Sequence, residues 1–250
     1  TGDVPRNIVY SPTFLTGDFG QAVFRAYEEE KASRFGNNPN LKLQNKEDVI
    51  IGSTLFDVLL INQIIRELKG APRTPLPLDL SNPKVMEMVK GQYYADSQGL
   101  VLRGIRDSYC KRNEPLARYL AEHVDMSMVE QEPALITGLD LEPWQEDTEG
   151  YGLKAVPNKG FAVHYDDRFS GKYDGYRFDD VDELGLPKNL DRNTGSRIWY
   201  TRNDGLSGLC LDRNLYLGSN RLNFDNSYSD GRVVVLGGEA TAPNLGNSKL

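Results

Sequence analysis

The tightest grouping of imidazole and carboxylate in this 250-residue chain is His164-Tyr165-Asp166-Asp167. These side chains are the usual metal ligands and proton carriers, so a metal-assisted hydrolase centred on His164, Asp166 and Asp167 is one reading. It lacks ligands: the other histidine, His123, is distant in sequence and sits at a predicted helix end, where a cation suits the macrodipole. A strand end followed by an Asp-rich turn is the preferred reading. Asp179, Asp180, Asp182 and Glu183 form an acidic run. Counted from Asp180, Gly185 falls at the hinge of an EF-hand-like loop, but Leu184 takes a ligand position and Asp191 stands where the bidentate Glu belongs. A solvated face accounts for the run. The Gly-x-Ser-x-Gly, phosphate-cradling and dinucleotide patterns are absent. Cys110 and Cys210 could form one disulfide but neither a metal knuckle nor a disulfide framework. No catalytic residue, metal or cofactor is expected.

Bulk properties narrow the partners. Lys plus Arg (29) against Asp plus Glu (36) gives a net charge of −7, which disfavours a broad grip on a phosphate backbone and so a nucleic-acid partner. The longest apolar run, Val58 to Ile65, is interrupted by Asn62 and Gln63 and is far shorter than a membrane span.

The informative stretch lies between Gly205 and Leu236. Leu209, Leu211, Arg213, Leu215, Leu217 and Ser219 alternate with Cys210, Asp212, Asn214, Tyr216, Gly218 and Asn220. The interleaving continues past Arg221 as Leu222, Phe224, Ser227 and Ser229 against Asn223, Asp225, Asn226, Tyr228 and Asp230. Period-two amphipathicity explains the alternation. It does not explain why the second set is confined to Cys, Asp, Asn, Tyr, Gly and Arg, each reachable from an AAC codon by changing only its two adenines. Codons of the form NNY also cannot encode Lys, Glu, Gln, Met or Trp. Those types supply 40 of the 250 residues, yet none occurs from Tyr200 through Gly238. About six would be expected there, and the chance of none is on the order of one in a thousand before discounting for choice of window.

In this region the sequence resembles the variable target proteins of diversity-generating retroelements, whose reverse transcriptases mutate template adenines. The resemblance covers chiefly Trp199 to Val235, with Gly231-Arg232-Val233-Val234-Val235 in the place of the family's last core strand. It implies a C-type-lectin-like fold, a variable region over about 208–230 displayed on one exposed face, no enzymatic activity, and a protein ligand. The implied binding residues are Cys210, Asp212, Asn214, Tyr216, Gly218, Asn220, Arg221, Asn223, Asp225, Asn226, Tyr228 and Asp230. The leucines and Arg232 would hold the scaffold. The Gly-Gly-Ser-Trp signature of one branch of this fold is missing, and so are the Glu-Pro-Asn and Trp-Asn-Asp calcium motifs of sugar-binding lectins. Calcium-dependent sugar binding is therefore not implied, and the separated cysteines give an oxidase reading little support.

The elements that must position this region read as α+β in one domain, mostly helical over 1–130 and sheet and loop over 131–250. Helical spacing predicts a helix from Phe19 to Ala32 and another capped by Ser53 or Thr54, with an apolar stripe to Leu68 and a stop at Gly70. Pro72 to Pro83 should run extended over the surface before Ser81 or Asn82 caps a helix with Pro83 at its first position. Leu100 to Ile105 reads as a strand and Glu114 to Val124 as a helix. Leu153 to Val156, Phe161 to Tyr165 and Arg197 to Thr201 read as strands, with Trp144 and Trp199 in the core. The alternative function is a phage or virion structural or attachment protein in which the Tyr/Asn/Asp-rich loops make fixed subunit contacts.

Overall fold

The computed structural model describes residues 11–68 and 71–237. Ile8-Val9-Tyr10, too short to assign from sequence, and the helix stop at Gly70 lie outside them. β1 (Thr13–Phe14) leads into α1 (Gly17–Ser33), and a hairpin of β2 (Gln44–Lys46) and β3 (Val49–Ile51) precedes α2 (Leu55–Ile65). α3 (Pro83–Val89), β4 (Ala95–Leu102), α4 (Glu114–Ala121) and α5 (Met126–Val129) follow. The remainder is β5 (Ala134–Pro143), β6 (Leu153–Tyr165), β7 (Tyr176–Phe178), β8 (Arg197–Tyr200), β9 (Leu206–Leu211), β10 (Leu217–Arg221) and β11 (Val234–Val235). Seven strands form a sheet in the order β6-β5-β4-β9-β10-β8-β7, antiparallel except where β10 runs parallel to β8. Among the described residues no helix is long and apolar enough to cross a membrane.

Strand alternation sends side chains to two cores, one on each face. Leu100, Leu102 and Ile136 meet α1, α2 and α4 in one. Val101, Leu135, Leu209, Leu211, Leu217 and Trp199 meet α3 in the other. α2 starts as its sequence dictates: Thr54 is extended, and its hydroxyl accepts from the Asp57 amide. Asn82 does the same for α3 through the Lys84 amide, with Pro83 at the first position.

Several expectations are corrected. α2 is buried on nearly every side from Leu55 to Asn62 rather than along one stripe, and it ends at Ile65, leaving Leu68 exposed. The Pro72–Pro83 segment is not a surface run. Thr74, Pro77, Asp79 and Leu80 are buried, because the Thr74 amide donates to Asn62 Oδ1, Gln98 caps Thr74 and Pro75, and Pro77–Ser81 closes into a 3-10 turn. The Leu100–Ile105 strand begins earlier, at Ala95, and stops at Leu102. The two short strands expected within 153–165 are one long strand with an irregular register, and Trp144 lies at the surface, half-buried. The closing strand is only Val234–Val235, and it pairs with β1 outside the seven-stranded sheet.

Asp57, at the start of α2, is fully buried and accepts from Tyr27 Oη at 2.6 Å, Thr54 Oγ1 at 2.8 Å and the Lys42 amide at 3.0 Å. Burial pushes its pKa up to about 6, against the pull of those three donors. A carboxyl whose folded pKa lies above its unfolded value contributes stability that is full below the unfolded value and is lost as pH rises through the folded one. Asp57→Asn keeps the acceptor without the charge. From about pH 3.5 to about pH 7 the native protein should therefore lose about 3 kcal/mol relative to D57N, measured by urea unfolding at both ends. A pH-independent difference would mean that the three donors offset burial completely and leave this carboxyl at its ordinary value.

Candidate binding surface

The face that the C-terminal segment presents is decided by how β9 lies on β4. Asp96 pairs with Cys210 and Leu100 with Gly208, so β4 carries two extra residues between these pairs. Ser97 Oγ spans the irregularity, donating to the Leu209 carbonyl and accepting from the Gly99 amide, each at 3.2 Å. This register sends Leu209, Leu211 and Leu217 into the core with Trp199. Cys210 and Gly218 pair across β9 and β10, and Gly218 pairs with Tyr200 on β8. Asp96, Cys210, Gly218 and Tyr200 therefore form a row on the opposite face.

Between β9 and β10 the chain turns through 212–216. Asp212 Oδ1 accepts from the amides of Asn214 at 2.8 Å and Tyr216 at 3.0 Å, and Leu215 takes a positive φ of 65°. Asn214 is exposed at the tip, and Tyr216 packs edge-on against Tyr200. Arg213, expected with the buried leucines, is exposed, because the turn interrupts the strand period there. Asn220 borders a recess of about 250 Å³ lined also by Tyr109, Asp174, Thr201, Arg202 and Leu222. Tyr109 is 60% exposed beside it.

Past β10 the loop 222–231 is held largely through its main chain. Asn113 Nδ2 donates to the Leu222 carbonyl at 2.9 Å, Tyr94 Oη accepts from the Tyr228 amide at 3.0 Å, and the Tyr94 amide donates to the Asp230 carbonyl at 3.1 Å. Gly231 lies so close to Tyr94 and Ser53 that a Cβ would fall 2.6 Å from Tyr94 Oη. Phe224 is the loop's buried anchor, edge-on to Phe56. Arg232 lies over the Tyr93 ring. Asn223 is exposed, Asp225 pairs with Arg112 at 2.8 Å, and Asn226 Nδ2 donates to Tyr228 Oη at 2.6 Å. Of the residues implied by the resemblance, all but Gly218 reach solvent. The structure gathers Cys210, Gly218, Asn220, Arg221, Asn226 and Tyr228 around Tyr94, Asp96 and Tyr200. Asp212, Asn214 and Tyr216 form a separate tip, Asp225 engages Arg112, and Asn223 stands exposed in the loop.

Electrostatics sharpen the centre of this surface. Burial raises the pKa of Asp96, whose one close countercharge among the described residues is Arg221. Burial and the neighbouring Asp96 push the Cys210 thiol up to about 12, and burial pushes Tyr94 to about 12. Burial works against the Arg221 charge, but Asp96, Cys210 and Tyr94 together outweigh it and raise its pKa. Cys210 is thus a neutral thiol, unlike an activated nucleophile. Cys110 and Cys210 are both free.

The other sequence candidates are used structurally. Burial opposes the Asp166 charge, but hydrogen bonds from Arg168 and His164 outweigh it and hold this carboxyl far below the usual range. Arg168 also pairs with Asp182 at 2.7 Å, and Asp182 accepts from the Leu184 and Leu186 amides. Asp179 caps Ser196. No cluster of three or more His, Cys, Asp or Glu suited to a metal occurs among the described residues. No family model, curated protein or solved structure matches the chain.

Sequence reading missed Tyr94, Asp96, Tyr109 and Tyr200. The first two precede Gly99 in a run whose Asp, Ser and Gln gave no strand signal. The only available clue was that Tyr200 falls at the start of the stretch free of Lys, Glu, Gln, Met and Trp.

Alanine substitutions should separate support from display. Leu211→Ala should cost about 2–5 kcal/mol through the cavity it leaves, and Asn214→Ala less than about 0.5 kcal/mol. Asp212→Ala should fall between, at about 1 kcal/mol, by removing the turn's two amide bonds. Chemical unfolding of the three variants checks the ranking, and an Asn214 cost equal to that of Leu211 would mean that the tip is part of the core.

Proposed function

We propose that this chain is a non-enzymatic ligand-binding protein whose C-terminal region displays a diversified surface, generated by adenine-directed mutagenesis, on a C-type-lectin-like scaffold. The observation that carries the reading is the agreement of two independent partitions. The twelve positions named from the alternation and its continuation, Cys210 to Asp230, reach solvent with the single exception of Gly218, whereas of the residues interleaved with them Leu209, Leu211, Leu217, Ser219 and Phe224 are buried, Leu215, Leu222 and Ser227 half-buried, and Arg213 and Ser229 exposed. A strand pattern alone predicts polar residues outside, but not the absence of Lys, Glu and Gln from them. Helices packed on a mostly antiparallel sheet with long connections are compatible with the scaffold. Tyr216 and Tyr228 offer amphipathic contact area at low entropy cost, and the Asn, Asp and Gly residues offer adaptable hydrogen bonding, as in paratopes, so a protein is the expected ligand.

A second reading, a phage or virion attachment component with fixed contacts, draws support from Asp212 and Asp225, whose carboxylates hold the local turn and Arg112. The gene separates the two. Under the leading reading, the last few hundred bases should have a near-identical template repeat beside a reverse transcriptase, with mismatches confined to template adenines and falling at Cys210 to Asp230. Absence of the repeat, with codons differing at random bases, would transfer the assignment to the attachment protein.

A further inference from the structure

Arg221 occupies surroundings built for a guanidinium. Its Cζ lies 4.5 Å from the Tyr94 ring centroid and 5.9 Å from that of Tyr228, and the two rings meet edge-on at 6.4 Å. Its Nη2 donates to the Asn226 carbonyl at 2.7 Å, and its Nε stands 3.4 Å from Asp96 Oδ1. Asp96 is only 2% exposed, yet among the described residues its Oδ2 has no hydrogen-bond partner. A buried carboxylate normally has both oxygens engaged, so this is an acceptor that the present occupant does not satisfy. The geometry explains why. Arg221 meets Asp96 Oδ1 through Nε at 3.4 Å and turns Nη2 to the Asn226 carbonyl, so its two-nitrogen fork does not span both carboxylate oxygens. Tyr94 and Asp96 belong to β4 and its approach, outside the region rich in AAC-type residues, whereas Arg221 belongs to that region.

We propose that Tyr94, Asp96, Tyr228 and the Asn226 carbonyl form a guanidinium-binding site, filled in this chain by its own Arg221, and receiving an arginine side chain of a protein ligand when position 221 carries a small residue. The site rests on the function proposed above only for the premise that position 221 varies. A planar guanidinium suits it better than an ammonium, because it stacks on tyrosine and donates in a fork to a carboxylate.

The test is rescue of Arg221→Ala by a small cation. Thermal unfolding of R221A is followed in methylguanidinium chloride and, at equal ionic strength, in methylammonium chloride, beside the native chain and the R221A/D96N double variant. Methylguanidinium should raise the Tm of R221A by several degrees and that of the native chain and the double variant by none, with methylammonium weaker. Equal response of R221A and the native chain, or of the single and double variants, would overturn the site. If R221A does not fold alone, the refolded yield with and without methylguanidinium replaces the Tm. Asp96→Asn in the otherwise native chain gives an independent reading: the Arg221 Nε–H should exchange with solvent faster, and unchanged exchange would overturn the cage. A missing template repeat would remove the premise of variation and leave the rescue standing. A missing rescue would remove the site and leave the diversified surface standing.

Discussion

The bulge at Ser97 is the constraint on which the rest of the molecule depends. β4 lies inside the sheet, between β5 and β9, with every residue buried, although Asp96, Ser97 and Gln98 would ordinarily avoid such a place. Burial is tolerated because these side chains meet partners from different parts of the chain: Ser97 the Leu209 carbonyl, Gln98 the Thr74 carbonyl, and Asp96, through one of its two oxygens, the Arg221 guanidinium. The first of these lies where the β4–β9 register shifts between Asp96 and Leu100. A slip of one residue would exchange the leucines with Cys210 and its neighbours and bury the polar set, so the pairing with this polar strand dictates which side chains the C-terminal segment displays. Gly99 is part of the same device, since a Cβ there would lie 2.7 Å from Pro77.

The strands on the β9 side of β4 are locked in a related way. Arg103, just past β4, is buried and donates to the carbonyls of Phe169 and Ser219 and to the hydroxyls of Thr201, Ser207 and Ser219. Burial, reinforced by the nearby Arg202 charge, lowers its pKa to about 9. Asn113 likewise bonds the carbonyls of Leu206 and Leu222. Most of these acceptors are main-chain atoms, which survive substitution of the side chain they precede. A scaffold that grips backbone can hold a segment in place while its outward side chains change, and this is the physical requirement that a diversified surface imposes.

What the sequence made legible follows the strength of local signals. Thr54 and Asn82 announced their helices because a capping side chain acts within three residues, and the alternation from Leu209 to Leu217 announced half-buried extended chain because it is local too, though not the turn at 212–216 that divides it. β4 was read only in part, because its polar residues are paid for by partners far along the chain. The proline-rich segment misled for the same reason: the groups that bury it, Asn62 and Gln98, lie on other elements. At the surface, the side chains on the displayed strands could be named from spacing, whereas Tyr94, Asp96, Tyr109 and Tyr200 entered only through the order of strands in the sheet.

The displayed positions are not equivalent. Asp212 closes its own turn, and Asp225 engages Arg112, so substitution at either changes loop geometry as well as surface chemistry. Gly218 differs again. A Cβ built there would lie 2.8 Å from Asn220 Oδ1 and 3.4 Å from Cys210 Sγ, both of them ends of side chains at other displayed positions. Growth at 218 is therefore permitted by smaller or rotated residues at 210 and 220, so the three share one volume and their substitutions couple rather than add. Arg221 is tied to Asp96 by charge, and its loss leaves a buried acid that a neighbouring side chain or a ligand must answer. Substitution is therefore least constrained at the exposed Asn214 and Asn223, is linked within the 210–218–220 group, and at 221 bears on the stability of the sheet beneath.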